Sequence, residues 1–132
     1  MSAPPANPLS AMFEWWNQAY ATGQLTDEGF GRHFSPTATL RVNGALRAHG
    51  LDGLLKHFSL ISASTNQVLL ERPPIAKFID DEGRFPCSYH FVTAQSGSRI
   101  DRERVMAIAQ VRDGRIQEIG IVGVPAAADD AI

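Results

Sequence analysis

The sequence predicts an α+β domain, with three N-terminal helices packed on a strongly curved antiparallel or mixed sheet of about six strands, a cone-shaped α+β barrel. Three observations predict it. Helical apolar spacing is confined to the first half of the chain, and after Asn66 the apolar residues alternate in strand fashion between tight turns. That order, helices and then strands joined by turns, belongs to helices segregated onto one face of a mainly antiparallel sheet. Finally, 132 residues, 44% of them hydrophobic, make one domain that buries roughly two-thirds of its unfolded surface and needs no disulfide or metal to hold it.

The elements follow in order. Residues 1–7 carry no periodicity and are expected as a flexible arm. Asn7-Pro8 opens the first helix, since Asn caps well and Pro at the first helical position loses no hydrogen bond. Leu9, Met12, Phe13, Trp16 and Tyr20 share one face, and Gly23 supplies the left-handed turn that ends it. Thr26-Asp27-Glu28 puts a cap and two acids at the start of a short second helix, where the dipole favours them. That helix carries Phe30 and Phe34 and stops before Ser35-Pro36. Thr37–Val42 reads as a strand, Asn43-Gly44 as a tight turn and Leu46–His49 as a short return strand. Leu51, Leu54, Leu55, Phe58 and Ile61 form the stripe of a third helix, bounded by Gly50 and the polar run 62–66.

Strands fill the remainder. Gln67–Leu70 is followed by Pro73-Pro74, which cannot donate to a ladder and marks a bulge or an edge. Ala76–Ile79 resumes before the turn at residues 80–83. Phe85–Ala94 and Ile100–Val111 form a long hairpin around Ser96-Gly97-Ser98, and Asp113-Gly114 turns into Arg115–Val124. Residues 125–132 are expected as a flexible tail, which leaves 8–124 as the single domain.

Composition excludes several function classes. A net charge of −2 lacks the basic excess that phosphate contacts need, so no nucleic-acid partner is expected. No apolar stretch approaches the ~20 residues that span a bilayer, so no membrane partner is expected either. The N-terminus has neither a basic head nor an apolar run, so a cytoplasmic protein is expected. Cys87 is the single cysteine, which rules out a cysteine zinc site. The spacing of His49 and His57 does not set two ligands on one helical face, so no metal and no cofactor are expected.

Val105–Val111 is apolar on both faces, with Val105, Ala107, Ala109 and Val111 on one and Met106 and Ile108 on the other. A sheet with one solvated face should alternate polar and apolar. Three short helices cover one face only, so a homodimer through the outer sheet face is expected. Ala107 and Ala109 are small for a core and could leave a void beneath Trp16, Tyr20 and Phe58, a pocket for a small apolar organic ligand. Which strand face looks inward stays open, because a one-residue slip reverses it.

Two helices, a strand pair, a third helix and a meander ending in VRDGRI resemble the nuclear transport factor 2-like superfamily, in its SnoaL-like and ketosteroid-isomerase-like branch. The resemblance is carried by WWNQAYATG in the first helix, HFSPTATLRVNG from the second helix into the first strand, HGLDGLLKHF at the third helix and VMAIAQVRDGRIQEI in the last hairpin. It covers about residues 8–124 and implies a curved sheet closed by helices around a deep, mostly apolar pocket, with pairing through the outer face. The acids of ketosteroid isomerases do not carry over. Trp16 stands at about the place of their helix-one tyrosine, with Tyr20 one turn on. Val42-Asn43 stands where their general base would be, and Met106-Ala107 where their second acid would be. Steroid isomerisation by that mechanism is therefore rejected. Arg99-Ile100-Asp101 mimics a fragment of limonene-epoxide hydrolases, but Ile121 stands where their second aspartate falls.

The candidate site is drawn from the residues. Histidine is the natural acid or base near neutral pH, so His57 and His90 are the candidate catalytic groups. Trp16 or Tyr20 would donate to a developing oxyanion. Phe58 and Tyr89 are candidate wall residues, and Arg41 and Asn43 would orient a ligand carbonyl or carboxylate. Glu103, or Asp101 beside it, would serve as a base at the pocket mouth. Two functions stay open: proton transfer of the isomerase, cyclase or dehydratase type on a polyketide- or terpenoid-like compound, and non-catalytic ligand binding or dimerisation.

Overall fold

The computed structural model describes residues 7–71, 74–127 and 129–130. Helix α1 spans Pro8–Thr22. The Asn7 side chain accepts from the Ser10 N–H at 3.1 Å, and Gly23 closes the helix at φ 70. Helix α2 spans Asp27–His33, with Thr26 Oγ1 accepting from the Gly29 N–H at 3.0 Å. Strands β1 (Phe34–Val42) and β2 (Ala45–His49) come next, and helix α3 (Gly50–Ser64) follows them. Among the described residues two helices precede the sheet, therefore, and the third is set between β2 and β3 rather than N-terminal to it. Strands β3 (Gln67–Leu70), β4 (Ala76–Phe78), β5 (Cys87–Ser96), β6 (Arg99–Arg112) and β7 (Arg115–Ala126) complete it. No helix among the described residues is long and apolar enough to cross a membrane.

The sheet runs β2-β1-β7-β6-β5-β3, with β4 also paired to β5, so among the described residues it has seven strands rather than about six. It is mixed: β1 pairs β7 in parallel and every other pair is antiparallel. The sheet is curved but unclosed, with β2 at one edge and β3 and β4 at the other, which corrects the expected barrel. β3 pairs Val92–Gln95 and β4 pairs Cys87–Tyr89, so the two share one edge of β5 in succession. Pro74 lies between them, where a residue without an N–H interrupts no ladder. Pro73 lies outside the described residues, as do residues 1–6 of the arm expected at 1–7, whose last residue, Asn7, caps α1.

Two strand limits differ from expectation for identifiable reasons. β1 begins at Phe34 and contains Pro36. The ladder to β7 jumps from Phe34↔Ile116 to Thr39↔Glu118, and this bulge takes up the proline. β7 runs through Ala126, so residues 125–126 belong to the sheet and not to a tail. Beyond it, the Ala127 carbonyl accepts from Arg102 Nη1 at 3.2 Å, and the Ala127 N–H donates to Asp130 Oδ2 at 3.0 Å.

Strand parity resolves the open question of the faces. Val105, Ala107 and Ala109 are buried toward the helices, and Met106 and Ile108 are 61% and 51% exposed on the outer face. The same parity divides the charge run 101–104 by sign. Asp101 and Glu103 point to the helix side, whereas Arg102 and Arg104 lie outward over the Phe91 ring, at 3.7 and 5.2 Å from its centre. Arg102 holds both carboxylate oxygens of Glu71 (2.8 and 2.9 Å), and Thr93 Oγ1 donates to the same group. These bonds hold the Glu71 carboxyl below its ordinary pKa.

The core joins Leu9, Trp16, Phe30, Phe34, Leu54, Ile116 and Ile119. Ala107 and Ala109 belong to it, each almost fully buried. Helices α1 and α2 meet at Gly29, where an added Cβ would run into Trp15 Cζ2. Trp15 is itself held edge-on by Phe30 and tilted on His33. Gly29→Ala is therefore expected to lose about 1–3 kcal/mol through overpacking, although alanine is the better helix former. Urea denaturation checks it; an unchanged midpoint would show that Trp15 moves aside freely.

Candidate functional site

A cavity of about 350 Å³ lies between the helix-covered face of the sheet and helices α1 and α3. α1 gives it Met12, Phe13 and Trp16, and α3 gives Leu54, His57, Phe58 and Ile61. The inward positions of the strands supply the rest: Leu40 and Val42, Val68 and Leu70, Val92 and Ala94, Val105, Ile119 and Ile121. Polar groups enter at two levels. Arg47, Asp101 and Glu103 are exposed and ring the mouth with half-buried His57, whereas His90 is 3% exposed in the wall.

The expected void beneath Ala107 and Ala109 is displaced. Those alanines are packed in the core, and the open space begins at Val105 and continues along β6 to Asp101. The displacement follows from the aromatic groups of α1 and α2. Trp16 stacks on Tyr20 at 5.1 Å and meets Phe58 edge-on at 5.7 Å, and Phe30 stacks on Phe58. Together they close one end of the helix-covered face and leave the other hollow.

Five of the nine candidate residues line the cavity: Trp16, His57, Phe58, His90 and Glu103. Four do not. The Tyr20 hydroxyl is 2.5 Å from Thr65 Oγ1, which donates to the Ile61 carbonyl at 2.7 Å, so it ties α1 to the end of α3. Arg41 pairs with Glu118 at 3.4 Å on the surface. Asn43 occupies the left-handed position of the β1–β2 turn at φ 50, and its Oδ1 accepts from the Gly123 N–H at 3.0 Å. Tyr89 faces outward, its hydroxyl accepting from Arg104 Nη1 at 3.0 Å. Sequence reasoning missed Arg47 and Thr65. Arg47 stands on a strand too short to show a face, and nothing in its neighbourhood of the chain singles it out.

Burial lowers the His90 imidazole to about 4, so it is neutral at pH 7. Its Nδ1 lies 3.3 Å from Ser88 Oγ, and its ring meets Phe13 edge-on at 5.0 Å. His57 is also lowered, by partial burial and then by the nearby Arg47 cation. Among the described residues, Trp16 Nε1 is the buried side-chain polar atom with no hydrogen-bond partner. Glu103 rests over Gly123, where an added Cβ would come 2.6 Å from Oε2, so the glycine leaves room for the carboxylate at the mouth. No group of three or more His, Cys, Asp or Glu among the described residues is arranged to hold a metal ion. The arrangement is an apolar chamber with a neutral imidazole in its wall and charges of both signs at its entrance.

Comparison with protein-family models finds no match, and comparison with curated proteins finds none either. Solved structures do match. An NTF2-like protein from Anabaena variabilis ATCC 29413 superposes with a TM-score of 0.72 at 14% identity, covering 96% of this chain and 95% of that one. An NTF2-like protein of unknown function from Exiguobacterium sp. 255-15 gives 0.71 at 17% identity, covering 90% and 98%. The chain has the nuclear transport factor 2-like fold. The same nuclear transport factor 2-like architecture is found in IdmH, a candidate polyketide cyclase from Streptomyces antibioticus, with a TM-score of 0.67 at 16% identity over 89% of this chain and 92% of that one. At these identities the likeness is one of fold.

Proposed function

We propose that the cavity binds a small, largely apolar organic molecule, a polyketide- or terpenoid-like compound carrying a carbonyl group. We further propose that the chemistry available to it there is proton transfer of the isomerase, cyclase or dehydratase type. The observation that carries this reading is a 350 Å³ chamber with apolar walls, into which the sequence sends a buried neutral histidine. That volume is within the range of small-molecule sites, and walls of this kind with few polar groups are their usual composition. A neutral imidazole can take a proton from carbon next to a carbonyl, while His57 and Arg47 at the mouth stabilise negative charge on oxygen. The likeness to a candidate polyketide cyclase supports the substrate class.

Native mass spectrometry of the purified protein, followed by a thermal-shift panel of carbonyl-bearing apolar compounds, tests the binding. A ligand at a hundred times its dissociation constant should add about 2.7 kcal/mol of stability. Ala94→Phe, which projects a ring into the chamber, should abolish that gain. Should His57→Ala and His90→Ala both turn over an identified substrate at the full rate, the proton-transfer mechanism falls and binding alone remains.

We also propose that two copies pair through the outer sheet face. Met106 stands directly opposite Val122 in the β6–β7 ladder, and Ile108 and Val124 extend the same patch, all four more than half exposed. Apolar patches of this kind, here bordered by Arg104 opposite Val124, form the cores of homodimer interfaces within a polar rim. Light scattering at micromolar concentration should report a dimer, and Val122→Glu should convert it to a folded monomer. A monomeric wild-type protein would remove this reading.

A further inference from the structure

Behind the chamber lies a second, smaller cavity of about 40 Å³, open to the surface at Glu14 and Lys77. Phe13, Leu70 and His90 line both spaces, so three side chains form the partition between them. The partition is held in place from one side by Asn17. Its amide donates to the Leu70 carbonyl and its Oδ1 accepts from the Leu70 N–H, each at 3.0 Å.

The two sides of this wall differ chemically. The chamber is apolar, whereas the notch is lined by Ser10, Glu14, Asn17, Glu71, Lys77 and Ser88. A water needs roughly 10–15 Å³ of such space and two to four polar partners, and the notch offers both. His90 Nδ1 lies 3.3 Å from Ser88 Oγ, and Ser88 lines the notch and not the chamber. Nδ1 therefore faces the notch, which leaves Nε2 for the chamber.

We propose that the notch is a water-binding site and that Ser88 and His90 pass protons through the partition, between solvent at the notch and the buried side of the chamber. A proton arriving on Nε2 is matched by one leaving Nδ1 for Ser88 Oγ, whose own proton goes on to the notch water. One proton enters the ring and one leaves, so the imidazole and the hydroxyl both end neutral. The reverse sequence restores the first tautomer. The inference rests on the ligand reading only for the source of the proton, and the transfer itself operates in the protein alone.

Solvent exchange of the His90 ring N–H, measured by nitrogen-15 NMR with saturation of water on protein without ligand, tests it. Ser88→Ala, which removes the relay oxygen, should slow the exchange severalfold. Ser10→Leu, which fills the notch from α1 and leaves Ser88 and His90 in the sequence, should do the same. Ala94→Phe, which obstructs the chamber from the opposite side, should leave the rate unchanged. A wild-type rate in Ser10→Leu, or slowing by Ala94→Phe alone, would show that protons reach His90 through the mouth and overturn the proposal. The reading of the chamber as a ligand site is tested separately by mass spectrometry, so each can fail without the other.

Discussion

Phe30→Ala is expected to cost about 3–5 kcal/mol, a large part of the total stability of a domain this size. Phe30 is fully buried. It is the meeting point of four elements: Trp15 of α1 is edge-on at 5.0 Å, Phe34 of β1 tilts against it at 6.0 Å, and Phe58 of α3 stacks on it at 5.7 Å. Truncating it removes the ring contacts and leaves a void that rigid neighbours cannot fill. Because Phe58 also walls the chamber, the same variant should weaken ligand binding at temperatures where it is still folded. Urea denaturation gives the first effect, and titration of a ligand found by mass spectrometry gives the second. Phe30→Leu keeps most of the volume and should cost less than half as much. A loss below about 1 kcal/mol for the alanine variant would mean that α2 is not keyed to the core through this ring.

The second large expectation concerns acid. In the unfolded chain the His90 imidazole takes up its proton near 6.5, but in the folded protein burial delays this until about 4. Between those values the unfolded state binds a proton that the folded state refuses. Stability contributed by His90 is thus complete above pH 6.5, declines as the pH falls, and is lost by pH 4. The full span is worth about 3 kcal/mol. His33 and His57 are lowered in the same direction, but they are half-exposed and are retained in a His90→Gln variant, so they cancel in the difference. Chemical denaturation from pH 7 to pH 4 should show the wild type losing more than His90→Gln by about that amount. Parallel curves for the two proteins would mean that water reaches the ring and that His90 is not held neutral.

Much of the architecture was legible because local signals agreed. Asn7-Pro8, Thr26, Asn43-Gly44 and Asp113-Gly114 sit within a residue of the element ends that they announced. The departures came where tertiary pairing overrode them. Pro36 halts a helix, yet a bulge against β7 admits it to a strand. The candidate site was half legible. His90 and Tyr89 are neighbours of opposite parity, and only the register to β6, which sets His90 against Val105, assigns the histidine inward. Tyr20 was lost because one aromatic face of α1 serves two ends: Trp16 reaches the chamber, and its stacked neighbour is taken by Thr65. Glu103 was carried by a charge run that resembles a solvated strand end, and the room that Gly123 leaves for its carboxylate at the mouth shows only in the register of β6 and β7.

The parallel pairing of β1 with β7 joins the first strand of the chain to the last. During synthesis the β1–β2 hairpin and α3 emerge long before the strand that must lie beside them. Until residues 115–126 leave the ribosome, β1 exposes an open ladder and the future chamber has no floor on that side. Such long-range closure is slower to form than local contacts, because its loop entropy is lost before the pairing rewards it. The nascent chain is accordingly most vulnerable to misassociation before β7 emerges, and truncation ahead of Arg115 should abolish folding rather than trim it.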